Sequence, residues 1–177
     1  MREFQLREWR EEDAEEVAQA ANNPRIAANL RNVFPHPYTL ADAAFYIGDC
    51  IAKEGEGQMT RAIVVDGHVV GSIGIFVGAD VLERSAELGY WLAQEYWRQG
   101  ITSRAVRMIC KEAFQKFDLV RIYAEPFADN AGSIGVLKKA GFTYEGTMRN
   151  GICKNGVIRS YCMYSILLEE MEHFDGR

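Results

Sequence analysis

The sequence predicts a mixed α/β single domain, and three observations carry that prediction. Strand-like and helix-like periodicities alternate along all 177 residues. Two Asx-Gly pairs, Asp66-Gly67 and Asn155-Gly156, each join β-rich runs in the manner of type I′ hairpins. No linker, repeat or low-complexity stretch divides the chain, so residues 1–177 read as one unit with a sizeable core.

Taken in order, Phe4 and Leu6 alternate with polar residues and predict a first strand. The stretch EEDAEEVAQAANNP predicts a helix with Asp13 as N-cap and Pro24 beyond its end. A second helix follows, with Thr39 as N-cap, Asp42 completing a capping-box variant, and Gly55 to Gly57 ending it. TRAIVVDGHVVGSIGIFVG is the first hairpin, and residues 85–93 are the next strand. Residues 100–116 have helical spacing, with Val106, Ile109, Cys110, Ala113 and Phe117 as the apolar face. LVRIYAE is a strand interrupted by Pro126. Asp129-Asn130 caps a short helix through Ala140, with Gly141 at its C′ position. Two strands around Asn155-Gly156 close the order β-α-α-β-β-β-α-β-α-β-β, mostly hairpins with one or two crossover helices.

Composition removes several function classes. A net charge of −5 with no lysine or arginine block argues against nucleic-acid binding. No apolar run is long enough to cross a bilayer and the N-terminus lacks a signal-peptide core, so no membrane association is expected. Cys50, Cys110, Cys153 and Cys162 are scattered singly, which fits a reduced, cytoplasmic protein. His36, His68 and His173 lie far apart without HExxH spacing, so no metal is expected. GxxxxGK[ST], GxGxxG and GxSxG are all absent.

The segment GYWLAQEYWRQGITSRAV carries the chemistry. A strand entering a glycine turn and then a helix makes an anion site, because the first helical N–H groups have no intrahelical acceptor. Gly100 lets a phosphate approach bare backbone, Arg98 adds charge, and Thr102 and Ser103 add hydroxyl donors. The plainer alternative is a turn glycine followed by two capping hydroxyls.

Residues 86–148, containing AELGYWLAQEYWRQG and DNAGSIGVLKKAGF, resemble the GNAT acyltransferase superfamily, in particular the branch of ribosomal-protein N-terminal acetyltransferases. The resemblance implies a central, mostly antiparallel twisted sheet of six to seven strands, splayed in the middle, with about four helices. It implies acetyl-CoA as cosubstrate and an amine acceptor, most naturally a protein N-terminus. A polyamine, amino sugar or amino acid is the alternative, and a non-catalytic acyl-CoA-binding module is a further one. The final strands of such folds often pair across subunits, which makes a homodimer an option.

The same resemblance assigns residues. Arg98, Gln99, Gly100, Ile101, Thr102 and Ser103 fall on the pyrophosphate loop, with Trp97 replacing the family's Gln/Arg and Thr102 its small Gly/Ala. Arg104 and Arg107 continue toward the adenosine phosphates. Trp91, Leu92 and Ala93 stand where the pantetheine arm pairs with free backbone, and Asn130 is a further cofactor contact. Glu87 and Glu125 match positions used as general base, with Glu125 preferred. Leu137 replaces the tyrosine that protonates the leaving thiolate, leaving Ser133 as substitute. Phe34, His36, Tyr38 and Tyr90 are the candidate acceptor wall.

Overall fold

The two hairpin signals produce the long strand pairs of the computed structural model, which describes the backbone of residues 2–175 and side chains as far as Met171. The side chain of His173 lies outside the described residues. Strand β1 is Gln5–Arg7, β2 Gln58–Val65 and β3 His68–Val77. Asp66 and Gly67 take φ of 51° and 87°, both left-handed as a type I′ turn requires. β4 is Ser85–Leu92, β5 Arg121–Ala124, β6 Thr143–Lys154 and β7 Val157–Leu167. Asn155 and Gly156, at φ 49° and 82°, turn the second hairpin in the same way.

All seven strands join one sheet in the order β1-β2-β3-β4-β5-β7-β6. Every pairing is antiparallel except β4 with β5. Helix α1 is Ala14–Ala21, α2 Pro24–Ala27, α3 Leu40–Ala52, α4 Ile101–Lys116, α5 Ala131–Ala140 and α6 Leu168–Asp175. On one face α4 and α5 bury Ile101, Val106, Ile109 and Leu137 against Ile73, Ile75, Leu88 and Leu92. On the other, α1 and α3 bury Val17, Ala43 and Ile47 against Val64, Val69 and Trp91. α4 is the crossover between the two parallel strands, as a parallel pair demands.

Three expectations need correction. Asp13 does not cap α1 with its side chain; its carboxylate accepts from Arg7 and from the backbone N–H of Arg10, closing a short 3-10 turn. Pro24 lies beyond the end of α1, as expected, and also opens the unexpected helix α2, since Asn23 caps it and proline has no N–H to leave unpaired at N1. Phe117 has left the helix for extended backbone, whereas Val106, Ile109, Cys110 and Ala113 are fully buried as the spacing predicts. With α2 and α6 added, the described residues hold six helices rather than about four.

Candidate functional site

The site begins where two parallel strands part. β5 pairs with β4 only over Ser85–Glu87, while β4 stays paired with β3 as far as Leu92. Antiparallel residues alternate in the side to which their main chain turns. Ser85 O accepts from Gly78 and Ala93 N–H donates to Val70 O, so the main chain of Gly89 and Trp91 also faces β3. Leu88, Tyr90 and Leu92 therefore turn their main chain toward the gap. Of the three residues expected there, Leu92 turns its main chain to the gap, whereas that of Trp91 and Ala93 turns to β3. The indole N–H of Trp97 donates to Leu92 O at 2.7 Å, tying the turn to the end of β4. A groove of about 1120 Å³ opens between the parted strands.

At one end of this groove Gly100 adopts φ 74°, immediately before α4. Gly100 offers that helix no capping side chain, and the first hydrogen bond is Arg104 N–H to Gly100 O, so the amides of residues 101–103 point out of the helix end. A Cβ built on Gly100 would lie 3.8 Å from the Lys139 ammonium, so a lysine of α5 completes a cationic cradle around bare backbone. Arg98 also takes a left-handed φ of 61°, and Arg98, Ile101, Thr102 and Ser103 line the groove with Gly100. The Ser103 hydroxyl donates to Gly100 O at 3.2 Å. Gln99 turns away, its amide donating to Glu95 O at 2.8 Å. Arg104 packs its guanidinium 4.7 Å over the Phe4 ring and donates to Arg2 O, which holds it against the segment leading into β1.

At the other end Glu87, the last β4 residue paired with β5, faces Glu125 just beyond β5. One guanidinium nitrogen of Arg31 serves both carboxylates, 2.5 Å from Glu87 Oε1 and 3.0 Å from Glu125 Oε2. Burial raises the Glu87 pKa above the usual carboxylate range and the Glu125 charge adds to it, against the opposing pull of Arg31. Burial together with the same two carboxylates also raises the pKa of Tyr123, the residue in register with Glu87.

Between the ends sits a pair of hydroxyls. Tyr90 OH and Ser133 Oγ are 2.7 Å apart. Ser133 is placed by the N-cap of α5, where Asn130 Oδ1 accepts its N–H at 3.1 Å. Burial raises the Tyr90 pKa and keeps the phenol protonated. Leu137 is fully buried in the core and turns no polar atom to the groove. Phe34 packs on Tyr38 at 4.8 Å and edge-on to Trp91 at 6.1 Å, forming an aromatic wall. Burial pushes the Tyr38 pKa up to about 12. His36 is exposed and does not line the groove.

Arg31 and Lys139 are the charged site residues that sequence reasoning missed. Arg31 reaches its partners over 56 and 94 residues and Lys139 comes to Gly100 from a different helix, so no local pattern marks either. Among the described residues no group of three or more His, Cys, Asp or Glu could hold a metal.

Comparison with known proteins places this geometry in a family. The acetyltransferase (GNAT) domain family matches residues 3–143. Three Bacillus subtilis (strain 168) relatives, among them YoaA, are 34–35% identical, and the chain spans 56–65% of their length. The spermidine N(1)-acetyltransferase of Escherichia coli (strain K12) is 28% identical over 157 residues, 88% of this chain and 81% of that protein. The ribosomal-protein-serine acetyltransferase of the same strain is 28% identical over 88 residues, 50% of this chain and 49% of that one. Among solved structures, Mycobacterium smegmatis RimJ in complex with CoA-disulfide superposes with a TM-score of 0.85 at 25% identity, covering 98% of this chain and 90% of that one. The chain belongs to the acetyltransferase (GNAT) family.

Proposed function

We propose that the protein transfers an acetyl group from acetyl-CoA to a primary amine by direct attack in a ternary complex, with a protein N-terminal α-amino group as acceptor. One observation carries this reading: an unpaired edge of β4 runs between a cationic cradle and a carboxylate pair at the two ends of one groove. The residues present fit coenzyme A. The amides after Gly100 and the Lys139 ammonium suit its pyrophosphate. The outward main chain of Leu88, Tyr90 and Leu92 suits its amide-bearing arm, which adds to a strand edge as a peptide would. The CoA-disulfide complex of the RimJ relative supports the same assignment.

The amine enters past Phe34, Tyr38 and Trp91 and meets Glu87. An α-amino group titrates near 7.7–8, so a carboxylate of raised pKa is enough to take the one proton its ammonium form must lose before attack at neutral pH, and the second proton shed as the amide forms leaves with the thiol. As the N–C bond forms and the C–S bond breaks, the Ser133 hydroxyl, held by Tyr90, donates a hydrogen bond to the sulfur that leaves. Glu87, whose carboxyl pKa is raised and which stands at the last paired position of β4, is taken as the base in place of the Glu125 preferred from sequence; Glu125 holds the other side of Arg31.

A polyamine acceptor is the second reading, favoured by the carboxylate pair and by the spermidine acetyltransferase relative. The experiment is a pH–rate comparison of the wild type with Glu87→Gln and Glu125→Gln on serine- and alanine-initial peptides. Glu87→Gln is expected to lower kcat/KM by roughly 10²–10⁴-fold and to leave only the acid limb set by the amine, removing the second, lower ionisation. A second ionisation that persists unchanged in Glu87→Gln removes Glu87 as the base.

A further inference from the structure

Arg31 sits in the connection between α2 and α3, and that connection is strapped down across the groove. Asn32 donates to Cys153 O at 3.2 Å and accepts from Asn155 N–H at 3.3 Å, fastening it to the tip of the β6–β7 hairpin. Arg159 donates to Ala28 O at 3.0 Å and is itself paired with Asp129. From this strap the Arg31 side chain, 62% exposed, reaches down to two carboxylates that are each only 26% exposed. The guanidinium thus covers the acidic pair from the solvent side, where an incoming cation must arrive.

We propose that Arg31 is a positioning residue that sets the acceptor class: by occupying one of the two charges of the Glu87–Glu125 pair, it leaves room for a single ammonium group and excludes polyamines. Two carboxylates facing each other without a cation repel, so one is driven toward its protonated form until a cation arrives. A guanidinium is charged at every accessible pH and bonds both at once. With Arg31 in place the pair keeps one uncompensated negative charge, which matches a monocationic α-amine. A spermidine chain needs both carboxylates and must expel Arg31 first. The groups facing Glu87 are few: Arg31 from the strap, Glu125 and Tyr123 from the β5 side, with Arg121 stacked 5.8 Å from the Tyr123 ring, while β3 presents the uncharged Phe76 in register with Glu87.

The acceptor class rests on the acetyl-transfer reading above, so the test has one arm that needs no turnover. Spermidine is titrated calorimetrically into the full chain and its Arg31→Gln and Arg31→Lys variants, with melting curves to show that each is folded. Arg31→Gln is expected to bind spermidine at least roughly tenfold more tightly than the wild type, and Arg31→Lys to stay near the wild type. In the second arm, acetyl transfer to a serine-initial peptide and to spermidine is followed from pH 5.5 to 9. Arg31→Gln should move the lower ionisation of the acid limb for the peptide upward by about one pH unit. It should also shift the ratio of kcat/KM values roughly tenfold toward spermidine. Unchanged spermidine affinity in Arg31→Gln, or an Arg31→Lys that behaves like Arg31→Gln, overturns the role of the charge. If the wild type acetylates no amine, the acetyl-transfer reading falls while the calorimetric arm still decides the role of Arg31.

Discussion

At Gly100 the φ of 74° and the open space around the backbone meet in one residue. An alanine there pays a left-handed penalty of about 1–2 kcal/mol and pushes a methyl into the cradle beside Lys139. Gly100→Ala is therefore expected to raise KM for acetyl-CoA severalfold while kcat changes less, measured by thiol release at saturating amine. This residue was legible from sequence because a strand, a glycine and a helix follow each other within a few positions. Glu87 and Glu125 were legible as a pair, but not the Arg31 guanidinium that joins them, because that contact exists only in the folded chain. Gln99 and His36 suit their proposed roles by residue type and position, but the folded chain turns Gln99 back on Glu95 and leaves His36 in solvent.

Among the elements, α5 ties stability to chemistry most tightly. Its N-cap, Asn130, accepts the N–H of Ser133, the residue whose hydroxyl meets Tyr90. Asn130→Ala should cost about 1 kcal/mol of stability, or roughly 2–4 °C in Tm for a chain of this size. Because Ser133 loses its anchor, kcat should fall while the lower ionisation set by Glu87 stays where it is. A Tm loss with unchanged kcat would show that the cap is structural only. Hairpins and capping boxes were read correctly because their signals lie within four residues, as at Thr39 and Asp42. α2 was missed because Pro24 has two local meanings, a stop or a first helical residue, and Asn23 decides between them only once its side chain accepts from Arg25. Asp13 was misassigned for a similar reason: its bidentate partner Arg7 comes from β1, outside the helix whose cap it resembled.

For the whole molecule, that Arg7–Asp13 pair locks the first strand to the first helix. The Asp13 carboxylate is almost completely buried; burial alone would raise its pKa, but the two bonds from Arg7 and one from Arg10 hold it below the usual value. A depressed carboxylate contributes stability that is present in full above its unfolded pKa near 4 and is lost as pH falls through the lower, folded pKa. Asp13→Asn is expected to cost about 2 kcal/mol at pH 7, and its gap from the wild type should close as the medium is acidified toward pH 2, read by denaturant unfolding. A gap that stays constant with pH would contradict the charge-assisted account. Topology was the least legible level. The order of elements followed from local periodicity, but the insertion of β7 between β5 and β6 is set by long-range pairing. The resemblance to GNAT proteins supplied the splay, and the three-residue β4–β5 pairing is its structural form.

The central claim is that this splayed sheet brings acetyl-CoA and an α-amine together for direct transfer. It is tested most directly by mixing the full chain with acetyl-CoA and a panel of amines, with serine- and alanine-initial peptides set against spermidine, amino sugars and amino acids, and following free thiol. Saturable turnover on the peptides is expected, with kcat/KM at least roughly tenfold above that for spermidine. Tight binding of coenzyme A without thiol release on any amine would contradict it and leave an acyl-CoA-binding module in its place.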